Sequence, residues 1–313
     1  MGLAPGPVVR AEMAERVRIG RYSVELSNLD KPFFPEDGIT KGDLVEYYRS
    51  IATTMLPYLR GRPIAMHRFP DGIVGEGFYQ KDAPDYFPPW IERVRVEKED
   101  GTVDHVVCGK AADLVYLANQ GCITPHIWPS RRNRLDNPDL MVFDLDPADD
   151  SDFESVRRAA RSLRDLLERL GLVPFVQTTG SRGAHVVVPL GCGEDFDAVR
   201  AFAQQVARLL ARRHPQHLTV EQRKEKRGTR LYIDTGRNAY GQTFVAPYAV
   251  RPRRGAPVAT PLRWEELDGV ESQSYHLRNV SQRLRQAGDP WQGMWRHARP
   301  LHQARQKLGE LGL

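Results

Sequence analysis

The chain runs to 313 residues, 41% of them hydrophobic and 27% charged, with a formal net charge of +5. Those figures exclude a disordered chain and allow one large core or two modest ones, and the mild basicity suits a polyanionic partner without requiring one. No stretch approaches the roughly 18 apolar residues that cross a bilayer, and Cys108, Cys122 and Cys192 lack zinc or disulfide spacing, so a cytoplasmic protein with no membrane partner and with reduced, buried thiols is expected.

Residues 1–17 mix Gly, Pro and charge without periodicity and read as a loosely ordered N-terminal extension. RYSVELSNLD reads as a short strand and turn. Thr40 followed by Asp43 forms a capping-box pattern that opens a helix through LVEYYRSIATTMLPYL, stopped near Arg60 and Gly61. RPIAMHRF, IERVRVE and VDHVVC alternate apolar and polar residues as half-buried strands do; ADLVYLANQG predicts a short helix and CITPHIW another strand. Phe153, Val156, Ala160, Leu163, Leu167 and Leu170 recur at helical spacing up to a stop at Gly171. The strands VPFVQTT and HVVVPL flank a glycine turn, and a second amphipathic helix carries Phe196, Val199, Phe202, Val206 and Leu209. The Pro- and Arg-rich segment VAPYAVRPRRGAPVATPLRW predicts extended loop and edge strand, and YHLRNVSQRLRQAG a closing helix. Strands alternating with helices give an α/β class with helices covering sheet faces. No repeat or low-complexity linker marks a boundary between autonomous domains.

Chemistry enters with LMVFDLDP, where Asp144 and Asp146 end an apolar run. Residues two apart on a strand share a face, and two carboxylates held that close repel unless they share a proton or a divalent cation lies between them. A D-x-D pair also serves to cap turns and helices. Context favours the metal: Asp234 ends another apolar run in RLYIDTG, and TTGSRGAH, residues 178–185, is a glycine turn able to present N–H groups and a cation to an anion. Acids for metal together with a phosphate cradle imply nucleotide chemistry.

Seven segments, SNLDKPFFPEDGITKGDLVEYY, FYQK, CITPHIW, VFDLDP, TTGSRGAH, RLYIDTGRN and VAPYAVRPR, resemble in the same order the polymerase domain of bacterial ligase D. That family belongs to the archaeo-eukaryotic primase superfamily and serves non-homologous end joining. The resemblance extends from about residue 22 to about residue 296. It implies an α+β variant of the class, a primase-like core of mixed and antiparallel sheets flanked by helices. One domain over 18–300 is expected, with an N-terminal subregion 18–135, a catalytic core 136–300 and a C-terminal tail 301–313.

By the same resemblance Asp144, Asp146 and Asp234 are the catalytic acids and bind two Mg²⁺ or Mn²⁺ ions, one lowering the pKa of a primer 3′-hydroxyl and one bridging the nucleotide phosphates. His185 matches a triphosphate-contacting histidine. Thr179 and Arg182 match neighbouring nucleotide contacts, at positions where the family more often carries Ser and Lys. Arg237, Arg251 and Arg227 match arginines used on phosphates, and His126 a histidine of the nucleotide pocket. Phe78 and Tyr79 match an aromatic pair on which the base stacks, one of the two expected to face inward. Asn28, Lys31 and Lys41 fall at the spacing that recognises the 5′-phosphate across a DNA gap.

The expected activity is a template-dependent polymerase using NTP or dNTP, ribonucleotides favoured, that fills gaps and extends ends in double-strand break repair at the nucleoid. Its expected partners are gapped DNA, an end-binding Ku protein and a separate DNA ligase. The alternatives are a primase starting strands de novo, a non-catalytic DNA-end-binding module and a metal-dependent nuclease.

Overall fold

The computed structural model describes residues 15–98, 101–149, 152–191 and 193–311. Two short hairpins come first: β1 (Glu15–Ile19) with β2 (Tyr22–Leu26), then β3 (Pro32–Phe34) with β4 (Ile39–Thr40). Helix α1 (Lys41–Leu59) starts on the predicted capping box: the Thr40 hydroxyl accepts from Asp43 N at 3.2 Å while Asp43 Oδ2 accepts from Thr40 N at 2.8 Å. Strands β5 (Pro63–Arg68), β6 (Phe78–Gln80), β7 (Glu92–Lys98) and β8 (Gly101–Val107) follow, then α2 (Ala111–Asn119) and β9 (Cys122–Ile127).

The second half alternates β10 (Leu140–Asp146), α3 (Phe153–Arg169), β11 (Phe175–Thr178), β12 (Ala184–Pro189) and α4 (Phe196–Arg213). It continues through β13 (Leu218–Thr219), β14 (Leu231–Asp234), β15 (Phe244–Val245), β16 (Pro261–Leu262), α5 (Val280–Ala287) and α6 (His302–Glu310). Gly171, at φ +85, ends the α3 segment in the left-handed conformation that favours glycine.

Two six-stranded sheets organise the molecule. One has the order β13-β14-β10-β12-β11-β16, antiparallel except for the parallel pair β13–β14. The other runs β15-β9-β5-β8-β7, with β6 added on β5. On β10 the alternation of side chains decides the layering. Met141, Phe143 and Leu145 pack into a core with α3, α4 and α6, whereas Leu140 and Val142 pack into the core containing α1, α2 and the second sheet. Asp144 and Asp146 continue the Leu140–Val142 side, where packing gives way to a cleft lined by residues of both sheets. The buried pair Arg62–Asp139, 2.6 Å apart, ties the start of β10 to the start of β5.

Residues 15–17 belong to β1 rather than to an unpaired extension, because Glu15, Arg16 and Val17 pair with β2; residues 1–14 lie outside the described residues. The segment put forward as a tail carries α6, whose Ala304 and Leu308 are buried among α3, α4 and the sheet of β10. The division at residue 135 is crossed by the chain, since β15 from the second half completes the sheet of the first. Cys108 and Cys122 are buried free thiols, and Cys192 lies outside the described residues. Among the described residues no helix is long and apolar enough to cross a membrane.

Candidate active site

Register builds the site. Asp144 on β10 lies opposite His185 on β12 and opposite Asp234 on β14, and His185 lies opposite Gln177 on β11. Gln177, His185, Asp144 and Asp234 thus form one transverse row over four neighbouring strands, with Asp146 one pleat further along. Carboxylate oxygens of Asp144, Asp146 and Asp234 all lie within 4.8 Å of one another.

Hydrogen bonds orient the row. The Gln177 amide donates to His185 Nδ1 at 3.2 Å and to Val245 O at 3.3 Å, which leaves the imidazole Nε2–H facing Asp144 Oδ1 at 3.4 Å. Arg237 Nε reaches the other Asp144 oxygen at 3.4 Å. Asp234 Oδ1 accepts from Gly236 N at 2.7 Å and from Tyr232 OH at 3.3 Å. Asn238 fixes the short turn that carries Arg237: its amide bonds both backbone groups of Val142, at 2.8 and 2.7 Å, acting as a surrogate strand beside β10.

The two neighbouring acids are driven apart. Burial pushes the Asp144 carboxyl up, but His185 and Arg237 outweigh it and hold it below the ordinary carboxylate range. Asp146 is pushed up to about 6 by burial and by the charge of Asp144, partly offset by Arg182. Three hard oxygen donors this close, one of them resisting ionisation because of its neighbours, fit a divalent cation that would neutralise them.

The glycine turn closes the cleft beside the acids. Gly180 adopts φ +63, and a Cβ on Gly183 would lie 1.9 Å from Leu145 O, so each glycine is required for a different reason. The Thr179 hydroxyl donates to Gly183 O at 3.1 Å, so it braces the turn while lining the cleft. Arg182, His185, Arg237 and Arg251 line the same space of about 300 Å³, as do Tyr79 and His126. Burial and nearby Arg251 keep His126 neutral, and its Nε2 has no hydrogen-bond partner.

Other residues singled out from the sequence stand elsewhere. Phe78 and Tyr79 are both exposed, because β6 is an edge strand paired only with β5; Tyr79 stacks on His67 with ring centroids 4.1 Å apart and lines the cleft, and Phe78 does not. Arg227 lies over the Tyr232 ring and donates to the carbonyls of Glu221 and Gln222, outside the cleft lining. Asn28, Lys31 and Lys41 gather at the start of α1, away from the acids: Asn28 has φ +51, Lys31 pairs with Asp71 at 2.5 Å, and Lys41 donates to Ser27 O at 2.6 Å. Sequence reasoning missed Gln177, Asn238, His67 and Arg253. Gln177 immediately precedes the glycine turn, and that placement was the available signal.

The family model described as "LigD, primase-polymerase domain" matches residues 40–291. The chain belongs to that family. LigD from Mycobacterium tuberculosis, a multifunctional non-homologous end joining DNA repair protein, is 32% identical over 274 residues, covering 85% of this chain and 36% of that protein. The multifunctional LigD of Pseudomonas aeruginosa is 34% identical over 285 residues, 90% of this chain and 34% of its own length. The bifunctional LigD of Bacillus subtilis is 29% identical over 292 residues, 91% and 47%. The chain therefore spans about a third to a half of the LigD proteins it matches. The solved polymerase domain of M. tuberculosis ligase D in complex with DNA superposes with a TM-score of 0.82 at 30% identity, covering 88% of this chain and 99% of that one. This primase-polymerase fold is mixed α and β, with the acid-bearing strands in the sheet centred on β10.

Proposed function

We propose that this LigD-family domain is a template-dependent nucleotidyltransferase that fills gaps and extends ends during non-homologous end joining, with ribonucleotides preferred over deoxyribonucleotides. The observation that carries the reading is the convergence of Asp144, Asp146 and Asp234 within 4.8 Å beside a glycine turn and four cleft arginines. Two Mg²⁺ or Mn²⁺ ions held by these carboxylates would supply Lewis-acid activation of a primer hydroxyl and charge neutralisation at the departing pyrophosphate. His185, held by Gln177 with its Nε2–H outward, and Arg182, Arg237 and Arg251 bind and orient the triphosphate. Thr179 keeps the turn in shape, Tyr79 supplies a stacking face for the base, with Phe78 exposed beside it, and His126 donates or accepts at the inner wall as a neutral imidazole.

Asn28, Lys31 and Lys41 recognise the 5′-phosphate at the far side of the gap, for which Lys31 exchanges its Asp71 partner. Arg227 joins the nucleotide contacts by leaving the Tyr232 ring. The DNA complex of the M. tuberculosis neighbour supports DNA as the substrate, and Ku and a DNA ligase activity complete the repair.

Primer extension on a 5′-phosphorylated gapped duplex, with each nucleotide type and each metal, tests this. Extension that disappears in Asp144→Ala and Asp234→Ala, with folding retained, is expected. Extension surviving either change, or shortening of the primer instead, overturns the assignment; synthesis on unprimed single strands in preference to gaps makes the protein a primase.

A further inference from the structure

A second cavity, about 290 Å³, adjoins the nucleotide cleft along the chain, lined by Lys81, Val103, His105, Trp128, Tyr240 and Gln242 among others. Three segments contribute to both spaces in step: Tyr79 and Lys81, His126 and Trp128, Thr243 and Gln242. On the β6 and β9 segments the two contributors are two residues apart, a rise of about 7 Å along extended chain. The second cavity is therefore the next position along the same wall.

Its chemistry differs from that of the first. Trp128 is 1% exposed, yet its indole N–H has no hydrogen-bond partner, and such buried donors are ordinarily satisfied. Tyr240 stands edge-on to Trp128 at 5.2 Å and to Phe196 at 5.5 Å, and remains 43% exposed. The charges at the wall, Lys81 and Glu97, are of opposite sign. A phosphate would gain nothing from that balance, whereas a neutral heterocycle with an apolar face suits an aromatic wall.

We propose that this cavity receives an unpaired base of the DNA strand lying in the cleft, stacked on Tyr240. The inference rests on the polymerase reading for the presence of DNA, and continuity of the walls supplies the argument for a strand rather than a free ligand.

The test is a gapped duplex with 2-aminopurine at successive unpaired template positions, bound in chelator so that no turnover is needed. With the wild-type protein one position is expected to be quenched more than its neighbours. Tyr240→Ala should abolish that quench and weaken gapped-duplex binding by about fivefold or more, the loss of one base stack. Tyr240→Phe should retain both, and Val103→Trp, filling the cavity from β8, should reproduce the alanine effect. Fully paired duplex should bind all four proteins alike.

Unchanged quenching in Tyr240→Ala and Val103→Trp, or an equal loss on fully paired duplex, overturns the proposal. Displacement of the quenched base by free NTP overturns it in favour of a second mononucleotide site. Primer extension by the same wild-type protein separates the two readings. Tyr240-dependent quenching without extension defeats the polymerase assignment alone, and extension without Tyr240-dependent quenching defeats this one alone.

Discussion

Asp146 carries the electrostatic cost of assembling the site. Its carboxyl is raised from 3.8 to about 6 by burial and the Asp144 charge, so the folded chain holds a proton there more tightly than the unfolded chain. The sign follows from linkage: this group favours the fold below the ordinary carboxylate value, and that benefit is lost as pH rises toward 6. Asp146→Asn removes the penalty. In chelator at pH 8 the variant is expected to be about 1–2 kcal/mol more stable than wild type, with the gap closing by pH 4, while primer extension is abolished. Thermal melts at the two pH values check it, and an equal shift at both would show that the acids are not mutually strained. The pairing of Asp144 with Asp146 was legible because alternation along a strand is local. Gln177 and Asn238 were not, since the groups they hold lie 8 and 96 residues away and meet only through sheet register. Arg227 and Lys41 show the reverse limit: a sequence reveals a cation, but not the backbone carbonyls that occupy it.

Among elements, the glycine turn between β11 and β12 sets how closely β12 approaches β10, and through that the His185–Asp144 contact. A methyl at Gly183 would overlap Leu145 O at 1.9 Å, and the obstacle is backbone of β10 rather than a flexible side-chain end. Gly183→Ala is expected to cost about 2–4 kcal/mol and to suppress extension, because relief requires moving β10 against the turn. Gly193→Ala, with open space around its Cβ, is the matched control and should stay within about 0.5 kcal/mol. Urea denaturation of the pair measures the difference; similar midpoints would mean the turn yields cheaply. Capped elements were readable in advance, as the Thr40–Asp43 box and the Gly171 stop illustrate, because a cap is written within four residues. Helix α6 was not, since only Ala304 and Leu308 of its nine residues are buried and two positions make no period.

At the scale of the whole molecule the sheet centred on β10 is a shared middle layer. Odd positions of β10 pack with α3, α4 and α6, even positions with the second sheet and α1, and the segment from Phe244 to Leu262 lends an edge strand to each sheet. Cross-ties reinforce the sharing: Trp291 Nε1 donates to Val176 O at 3.1 Å, and Tyr47 OH to Tyr248 O at 2.7 Å. This is why no division near residue 135 could be drawn from composition, for after most of the β10 sheet is built the chain returns, at β15, to the sheet of β5 and β9. It also makes the cleft, which needs both walls, as stable as the molecule itself. Met55→Ala, in the core of α1, and Leu308→Ala, in the core of α6, remove buried side chains from opposite sides of the sheet. Each is expected to cost about 2–5 kcal/mol and to move one common calorimetric transition, with unfolding enthalpy matching the van't Hoff value. Two separated transitions, each shifted by only one of the variants, would show that the walls fold independently and that the acids on β10 do not depend on the second sheet for their placement.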